Sequence, residues 1–152
     1  MQTFLTSRGS MLDALRPLDD RRLFNQHNEG RVILAGNWPH HPVHRLWPDR
    51  AILLSYLDVV RQLCLERGIG ISHPGFGTSD GLTDFPEFFY ASHRANLLRK
   101  DPVHYGKFGW QEKPKDWYAW LSKDGHWYVQ RKGEKFKYYV YDPALVLEFF
   151  RS

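Results

Sequence analysis

The chain has 152 residues, 42% of them hydrophobic, which is enough for one compact domain with a buried core. Its single cysteine excludes an internal disulfide and fits a reducing compartment, and no apolar run approaches the length of a membrane span. The net charge of +4 favours an anionic partner, and the start "MQTFLTSRGS" lacks the features of a signal peptide, so we expect a cytoplasmic protein.

Four helices and one hairpin are predicted in chain order. The first helix is "LDDRRLFNQHNEGRVIL" (18–34), capped by Asp19 or Asp20, and the second runs over roughly 49–67 between a cap at Asp49 and a stop at Gly68. A Gly-rich loop, "GIGISHPGFGTSDGLTDFP", follows, and then a third helix over roughly 87–100 that stops before Pro102. "GHWYVQRKGEKFKYYVY" alternates like a hairpin with a turn near Lys132-Gly133, and "PALVLEFF" after Asp142 forms a short final helix.

One stripe of the first helix is unusually polar. Arg22, Gln26 and Glu29 fall at positions i, i+4 and i+7, so they share one helical face. A lone mid-helix carboxylate is most often a surface group, but here Arg22 and Gln26 could position an anionic substrate beside Glu29. Gly30 follows at once; it either leaves room for close approach of a ligand or is simply tolerated by the helix.

The amino terminus of the chain is a candidate nucleophile. An α-amino group has a pKa of about 7.7–8.0 against about 10.4 for lysine, so roughly a tenth of it is neutral at pH 7. A neutral amine can attack a sugar C1′ and form a Schiff base. Such chemistry requires a nearby carboxylate, and Glu29 is the leading candidate for it.

Other chemistry is less well supported by the sequence. His40, His41 and His44 are interrupted by prolines and no carboxylate or cysteine pattern completes a ligand set, so we expect no metal and no cofactor. Cys64 lies on the apolar stripe of the second helix, as a buried structural thiol would.

Basic and aromatic residues are concentrated in the last third of the chain. From residue 94 to residue 137 there are eleven Lys or Arg against five Asp or Glu, and half of the 24 aromatics lie between residues 105 and 141. Cations interleaved with rings suit nucleic acid, because cations meet phosphates and rings stack on bases. A solvated face over an aromatic core accounts for the same composition.

Four segments together resemble the pyrimidine-dimer DNA glycosylases of the endonuclease V type. "RRLFNQHNEGRVIL" resembles the family's first-helix pattern Arg-Leu-x-x-Gln-x-x-Glu followed by Ile-Leu. "WPHHPVHRLW" resembles its Trp-x-x-His-Pro-x-x-Arg-Met-Trp segment, "CLERGIGI" the end of its second helix, and "SHRANLLRKDPVHYGKF" its third helix and the aromatic-basic segment that follows.

This resemblance implies a mainly α, compact fold in a single domain (1–152), with a family-like helical core (1–108) and an aromatic, basic extension that carries the hairpin (109–152). It implies a monomer that binds double-stranded DNA and flips a nucleotide out of the stack, which would place it on the nucleoid when it is bound to DNA. The family's catalytic pair is an N-terminal amine and a first-helix glutamate. These match Met1, which we expect to be retained before the bulky Gln2, and Glu29.

DNA contacts carry over from the same segments. Arg22 and Gln26 match the first helix, and His93 or Arg94 falls near a phosphate-contacting arginine of the family. The full set of candidate DNA-binding residues is Arg22, Gln26, His41, Arg45, His93, Arg94, Arg99, Lys100, Tyr105 and Lys107.

Several functions stay open at this point. The first is excision of a damaged or modified pyrimidine, with or without strand cleavage at the abasic site. The substrate is either a UV-induced dimer, which means repair, or a hypermodified cytosine such as a glucosylated one in phage DNA, which means antiviral defence. The alternative from another class is a DNA-binding module without catalysis, which has no use for a carboxylate that faces phosphates.

Overall fold

The computed structural model of the chain describes residues 2–72 and 80–152, and it divides into two compact units, Met1–Asp84 and Phe85–Ser152. Within the described residues, helices make up 49% of the structure, and two small antiparallel sheets accompany them. The predicted helical character is therefore confirmed within a mixed fold, whereas the glycosylase fold and the single domain stay predictions. None of the described helices combines the length and the apolarity that crossing a membrane requires.

The elements of the first unit are β1 (Gly9–Ser10), α1 (Met11–Leu15), α2 (Asp20–Leu34), a 3-10 helix (Pro42–Leu46), α3 (Arg50–Arg67) and β2 (Leu82–Thr83). The elements of the second unit are α4 (Glu87–Lys100), α5 (Pro102–Gly106), β3 (Trp117–Leu121), β4 (Trp127–Arg131), β5 (Tyr138–Tyr139) and α6 (Pro143–Arg151).

Helices α2 and α3 pack against each other and form the core of the first unit. Helix α3 begins where the Asp49 carboxylate accepts a hydrogen bond from the Ala51 amide, and it ends at Gly68 in the left-handed conformation. In α2 the Asp19 carboxylate makes no capping hydrogen bond and instead accepts from Arg22 Nη1 at 3.1 Å. Both helices agree with the sequence prediction to within about two residues.

Gly30 allows α2 to lie close to α3. A Cβ added at Gly30 would lie 2.5 Å from Cδ2 of Leu57, and Leu57 is fully buried. The glycine thus serves close packing between two helices. It is itself buried, so the expected close approach of a ligand at this position is wrong.

The first residues of the chain are part of the core of this unit. Thr3, Phe4, Leu5 and Thr6 are each at most 5% exposed. The side-chain carbonyl of Gln26 accepts hydrogen bonds from the Phe4 amide at 2.9 Å and from the Tyr56 hydroxyl at 2.8 Å. A buried extended segment therefore holds the start of the chain against α2 and α3, a feature that the sequence prediction missed.

In the second unit α4 is buried along almost its whole length, from Phe88 to Leu98. β3, α5 and α6 pack against it within this unit. β3, β4 and β5 form one antiparallel sheet in which Tyr128 pairs with Tyr139 and Val129 with Tyr138. The predicted hairpin is confirmed, with a longer connection than expected, and the additional strand β3 was not predicted.

We predict that the Gln26 carbonyl is the main polar support of the first unit. Gln26→Leu should lower the free energy of unfolding by about 2 kcal/mol, because the buried Phe4 amide loses its acceptor. Tyr56→Phe should cost about 1 kcal/mol, and the double variant less than the sum, because both changes break one shared hydrogen bond. Chemical denaturation measures all three, with the exposed Asn25→Ala as the control, and strictly additive losses would contradict the shared hydrogen bond.

Candidate active site

A pocket of about 350 Å³ opens in the first unit, between the second half of α2 and the connection that follows it. Asn28, Glu29 and Val32 line one wall from the helix, and Trp38 and His41 line the other from the connection. Two of the predicted site residues, Glu29 and His41, therefore lie in one pocket. Its size falls within the range of small-molecule sites in proteins.

Trp38 is presented at the rim of this pocket in a strained conformation. Its side chain is 70% exposed, and its φ of +54° is the left-handed region that residues other than glycine seldom adopt. Three hydrogen bonds to its neighbours hold it there: Asn37 N donates to Val32 O, His41 N donates to Trp38 O, and His44 Nε2 donates to Asn37 O. A strained residue that its surroundings fix in this way is characteristic of functional sites.

Trp38 is the site residue that sequence reasoning missed. The available signal was a single tryptophan between the glycine that follows a helix and the next proline, as in "AGNWPH". The structure leaves this ring 70% exposed, at a surface position where aromatic side chains commonly serve recognition.

Glu29 occupies an environment that disfavours its ionised form. Partial burial raises the pKa of the Glu29 carboxyl above its ordinary value of 4.5, and the positive charge of the chain's amino terminus opposes that rise. The carboxyl also acts on Tyr56, whose pKa is raised well above 10.0 by complete burial and, to a smaller extent, by the charge of Glu29. A perturbed carboxyl in a pocket is the usual signature of a functional acid or base.

His41 is held as a neutral ring. Its Nδ1 accepts a hydrogen bond from the Val43 amide at 3.1 Å, which caps the 3-10 helix and leaves the ring proton on Nε2. Burial lowers the pKa of His41, and the positive charges of the amino terminus, His44 and Arg45 lower it further. The pocket thus combines one carboxyl with one uncharged imidazole.

The other two residues of the predicted polar stripe do not line the pocket. Gln26 is 2% exposed, and its carbonyl accepts hydrogen bonds from Phe4 and Tyr56, which gives it a structural role; its predicted contact with DNA stays a prediction. The Arg22 side chain is 18% exposed and lies 3.1 Å from Asp19. Of the three residues of this stripe only Glu29 lines the pocket. Gln26, one helical turn earlier, is buried against Phe4.

Three predicted DNA contacts in the second unit are buried side chains. His93 and Tyr105 are fully buried, and Tyr105 stacks on Trp110 with ring centroids 5.7 Å apart. Arg94 is 8% exposed and donates to Glu112 at 2.7 Å and to Glu87 at 2.9 Å. We assign these three residues to the core, since a phosphate would have to displace both carboxylates from Arg94.

The remaining candidates lie nearer the surface. Lys100 and Lys107 are exposed, whereas Arg45 and Arg99 are half-buried, and Arg99 donates to the Asn96 side chain and to the Lys115 carbonyl. Arg45 is close enough to influence the pKa of His41. Met1, the predicted nucleophile, lies outside the described residues, which begin with Gln2.

Comparison of the chain with protein-family models, with curated proteins and with solved structures yields no match in any of the three. The likeness to pyrimidine-dimer glycosylases therefore stays a prediction that rests on the four sequence segments. The pocket geometry is an observation independent of that likeness.

We predict that the stability cost of the backbone strain at Trp38 can be measured separately from the effect of losing its ring. Trp38→Gly and Trp38→Ala both remove an exposed ring, but only glycine adopts a positive φ without steric cost. The glycine variant should therefore unfold with a free energy about 1 kcal/mol higher than the alanine variant. Thermal or chemical denaturation of the pair measures the difference, and an alanine variant as stable as the glycine variant would show that the turn is unstrained.

Proposed function

We propose that the chain is a DNA glycosylase that excises a damaged or modified pyrimidine from double-stranded DNA after flipping it out of the stack. The observation that carries this proposal is the pocket that joins the perturbed carboxyl of Glu29 to the exposed ring of Trp38. A flipped base needs an aromatic surface on which to stack, and cleavage of its glycosidic bond needs a negative charge at the sugar.

Glu29 acts at the sugar in this mechanism. When the bond between C1′ and the base nitrogen breaks, the electron pair leaves with the base and positive charge develops on the sugar ring. A carboxylate held in a partly dry pocket stabilises that charge more strongly than one in water. The raised pKa also suits Glu29 to exchange a proton with the attacking group.

The attacking group is the amine of Met1 or a water molecule. Attack by the amine is supported by the burial of residues 3–6, which a hydrogen bond from the Phe4 amide joins to the helix that carries Glu29. It is supported also by the effect of the terminal charge on the pKa of both Glu29 and His41. Attack by the amine forms a bond from nitrogen to C1′ and leads to a Schiff base, which permits strand cleavage; attack by water leaves an intact abasic strand.

Trp38 and His41 hold the base in this proposal. The Trp38 ring stacks on one face of the flipped base, and the neutral His41 ring contributes a wall without a charge. Asn28 lines the same pocket and offers amide groups that can read the polar edge of a pyrimidine. These residues select the base, while Glu29 performs the chemistry.

We predict that Glu29→Gln lowers the rate of base release by at least about 100-fold, because the amide neither carries charge nor transfers a proton. Binding of the same DNA should be unchanged or tighter, since a negative charge near phosphates is removed. The assay uses duplexes that carry a UV dimer, uracil or a glucosylated hydroxymethylcytosine, and it measures released base and strand cleavage separately. The matched control is Glu66→Gln, an exposed carboxylate on α3.

Turnover of Glu29→Gln close to the wild-type rate would contradict the proposed site. Binding of every duplex without release of any base would favour the non-catalytic module instead. Borohydride added during turnover separates the two nucleophiles, because it traps a covalent adduct at residue 1 only where the amine attacks C1′.

A further inference from the structure

The net charge of the protein resides entirely in its second unit. Residues 1–84 contain nine Arg, no Lys and nine Asp or Glu, whereas residues 85–152 contain twelve Lys or Arg and eight Asp or Glu. The unit that carries the Glu29 pocket is therefore neutral overall. An anionic partner of any size is attracted to the second unit.

The lysines of this unit are available for such a partner. Seven of them are exposed, and six of the seven make no ion pair with a residue in the described ranges 2–72 and 80–152: Lys107, Lys113, Lys123, Lys132, Lys135 and Lys137. Three of the four arginines of this unit differ, because Arg94, Arg131 and Arg151 form ion pairs with carboxylates. Of the six lysines, Lys107 and Lys137 lie over the rings of Phe108 and Tyr128, and their ammonium groups remain exposed to an anionic partner.

Four aromatic rings form a continuous row on this unit, which we call the ring row: Phe136, Tyr138, Trp117 and Phe149. Consecutive ring centroids lie 4.7, 5.5 and 5.5 Å apart. Phe136 is 66% exposed and Tyr138 is 49% exposed, so the row begins at the surface. It then runs into a groove of about 260 Å³ between the sheet and α6, to which Val129, Leu145 and Val146 contribute apolar walls.

The sheet register explains why these rings share one face. Val129 pairs with both Ala119 and Tyr138, so Tyr138 lies on the same face as Ala119 and, two residues along β3, as Trp117. Helix α6 packs Phe149 against that face through its contact with Trp117. Because β5 has only two residues, Phe136 and the lysines beside it lie in the connection that precedes the strand.

Cations flank the ring row at both ends. Lys135 precedes Phe136 in the chain, and Lys137 follows it, with its Nζ 4.9 Å from the centroid of Tyr128, a ring outside the row. At the other end Lys115 Nζ lies 5.0 Å from the centroid of Phe149, and it also donates to the Ser152 carbonyl oxygen. A ligand that follows the row therefore meets apolar faces along its length and positive charge at both ends.

We propose that the ring row and its flanking lysines bind single-stranded nucleic acid, with unpaired bases stacked on the rings and phosphates at the lysines. Rings in series beside cations are the arrangement by which proteins hold unpaired strands without reading their sequence. A hydrophobic peptide would fill the apolar groove but would bring no negative charge to the exposed lysines. This binding is independent of the Glu29 chemistry, which resides in the other unit.

The test measures binding of a fluorescent oligothymidylate to the full-length Glu29→Gln protein, in which turnover cannot interfere. The double variant Phe136→Ala/Tyr138→Ala should bind at least about tenfold more weakly, since each stacked base contributes a factor of about five or more. The matched control is Tyr141→Ala, an exposed tyrosine outside the ring row that is 93% exposed. Circular dichroism establishes that each variant is folded.

Two further measurements distinguish stacking on the rings from a general attraction to phosphates. Binding of a fully paired duplex should change less than threefold in the double variant, because its bases are not available to the rings. Lys135→Gln/Lys137→Gln should reduce the log-log salt slope on oligothymidylate by roughly 0.7 for each phosphate that these lysines neutralise.

Unchanged oligothymidylate binding in the ring variant would overturn the proposal, and so would an equal loss of single-stranded and duplex binding. Sedimentation that shows self-association of the wild type, abolished by Phe136→Ala/Tyr138→Ala without an effect on oligonucleotide binding, would overturn it too, and would identify the groove as an interface between copies of this chain. Failure to detect base excision leaves these outcomes unaffected, because none of them depends on catalysis.

Discussion

The side-chain carbonyl of Gln26 is the group on which the first unit depends. It accepts from the backbone of Phe4 and from the hydroxyl of Tyr56, and so joins the start of the chain to α2 and α3 in one buried place. Leaving the Phe4 amide unsatisfied inside the core is costly, so this hydrogen bond stabilises the packing of the first residues against α2. Glu29 lies about one helical turn further along α2, so the helix that these hydrogen bonds anchor also carries the proposed catalytic carboxyl.

Backbone strain and net charge lie in different units of the protein, which fits a division of tasks between the two units. The first unit has no net charge and concentrates its unusual features, the positive φ of Trp38 and the raised pKa of Glu29, at one pocket. In the second unit Arg94 forms a buried ion pair with Glu112, whereas lysines are exposed near the ring row. In the proposed account the first unit performs chemistry on a base, and the second supplies affinity for the strand.

Helices with strong local signals were predictable from the sequence. Asp49 and Gly68 mark the ends of α3, and the apolar spacing between them fixes its buried face. Strand β3 was missed because its residues are apolar on both faces and give no alternation to recognise. Gln26 and Arg94 have buried partners within the protein, which the sequence could not reveal, since a polar residue that satisfies a buried partner has the same appearance in a sequence as one that contacts DNA.

The proposed attack by the chain's amine requires that amine to act near Glu29, and a carboxyl-carbon NMR titration of Glu29 tests this requirement without any knowledge of the substrate. In the protein with a free terminal amine, the pKa of Glu29 should lie above 4.5. Acetylation of that amine removes a positive charge that stabilises the carboxylate, so the pKa should rise further. An unchanged pKa after acetylation, or a value at or below 4.5 in both proteins, would contradict the account.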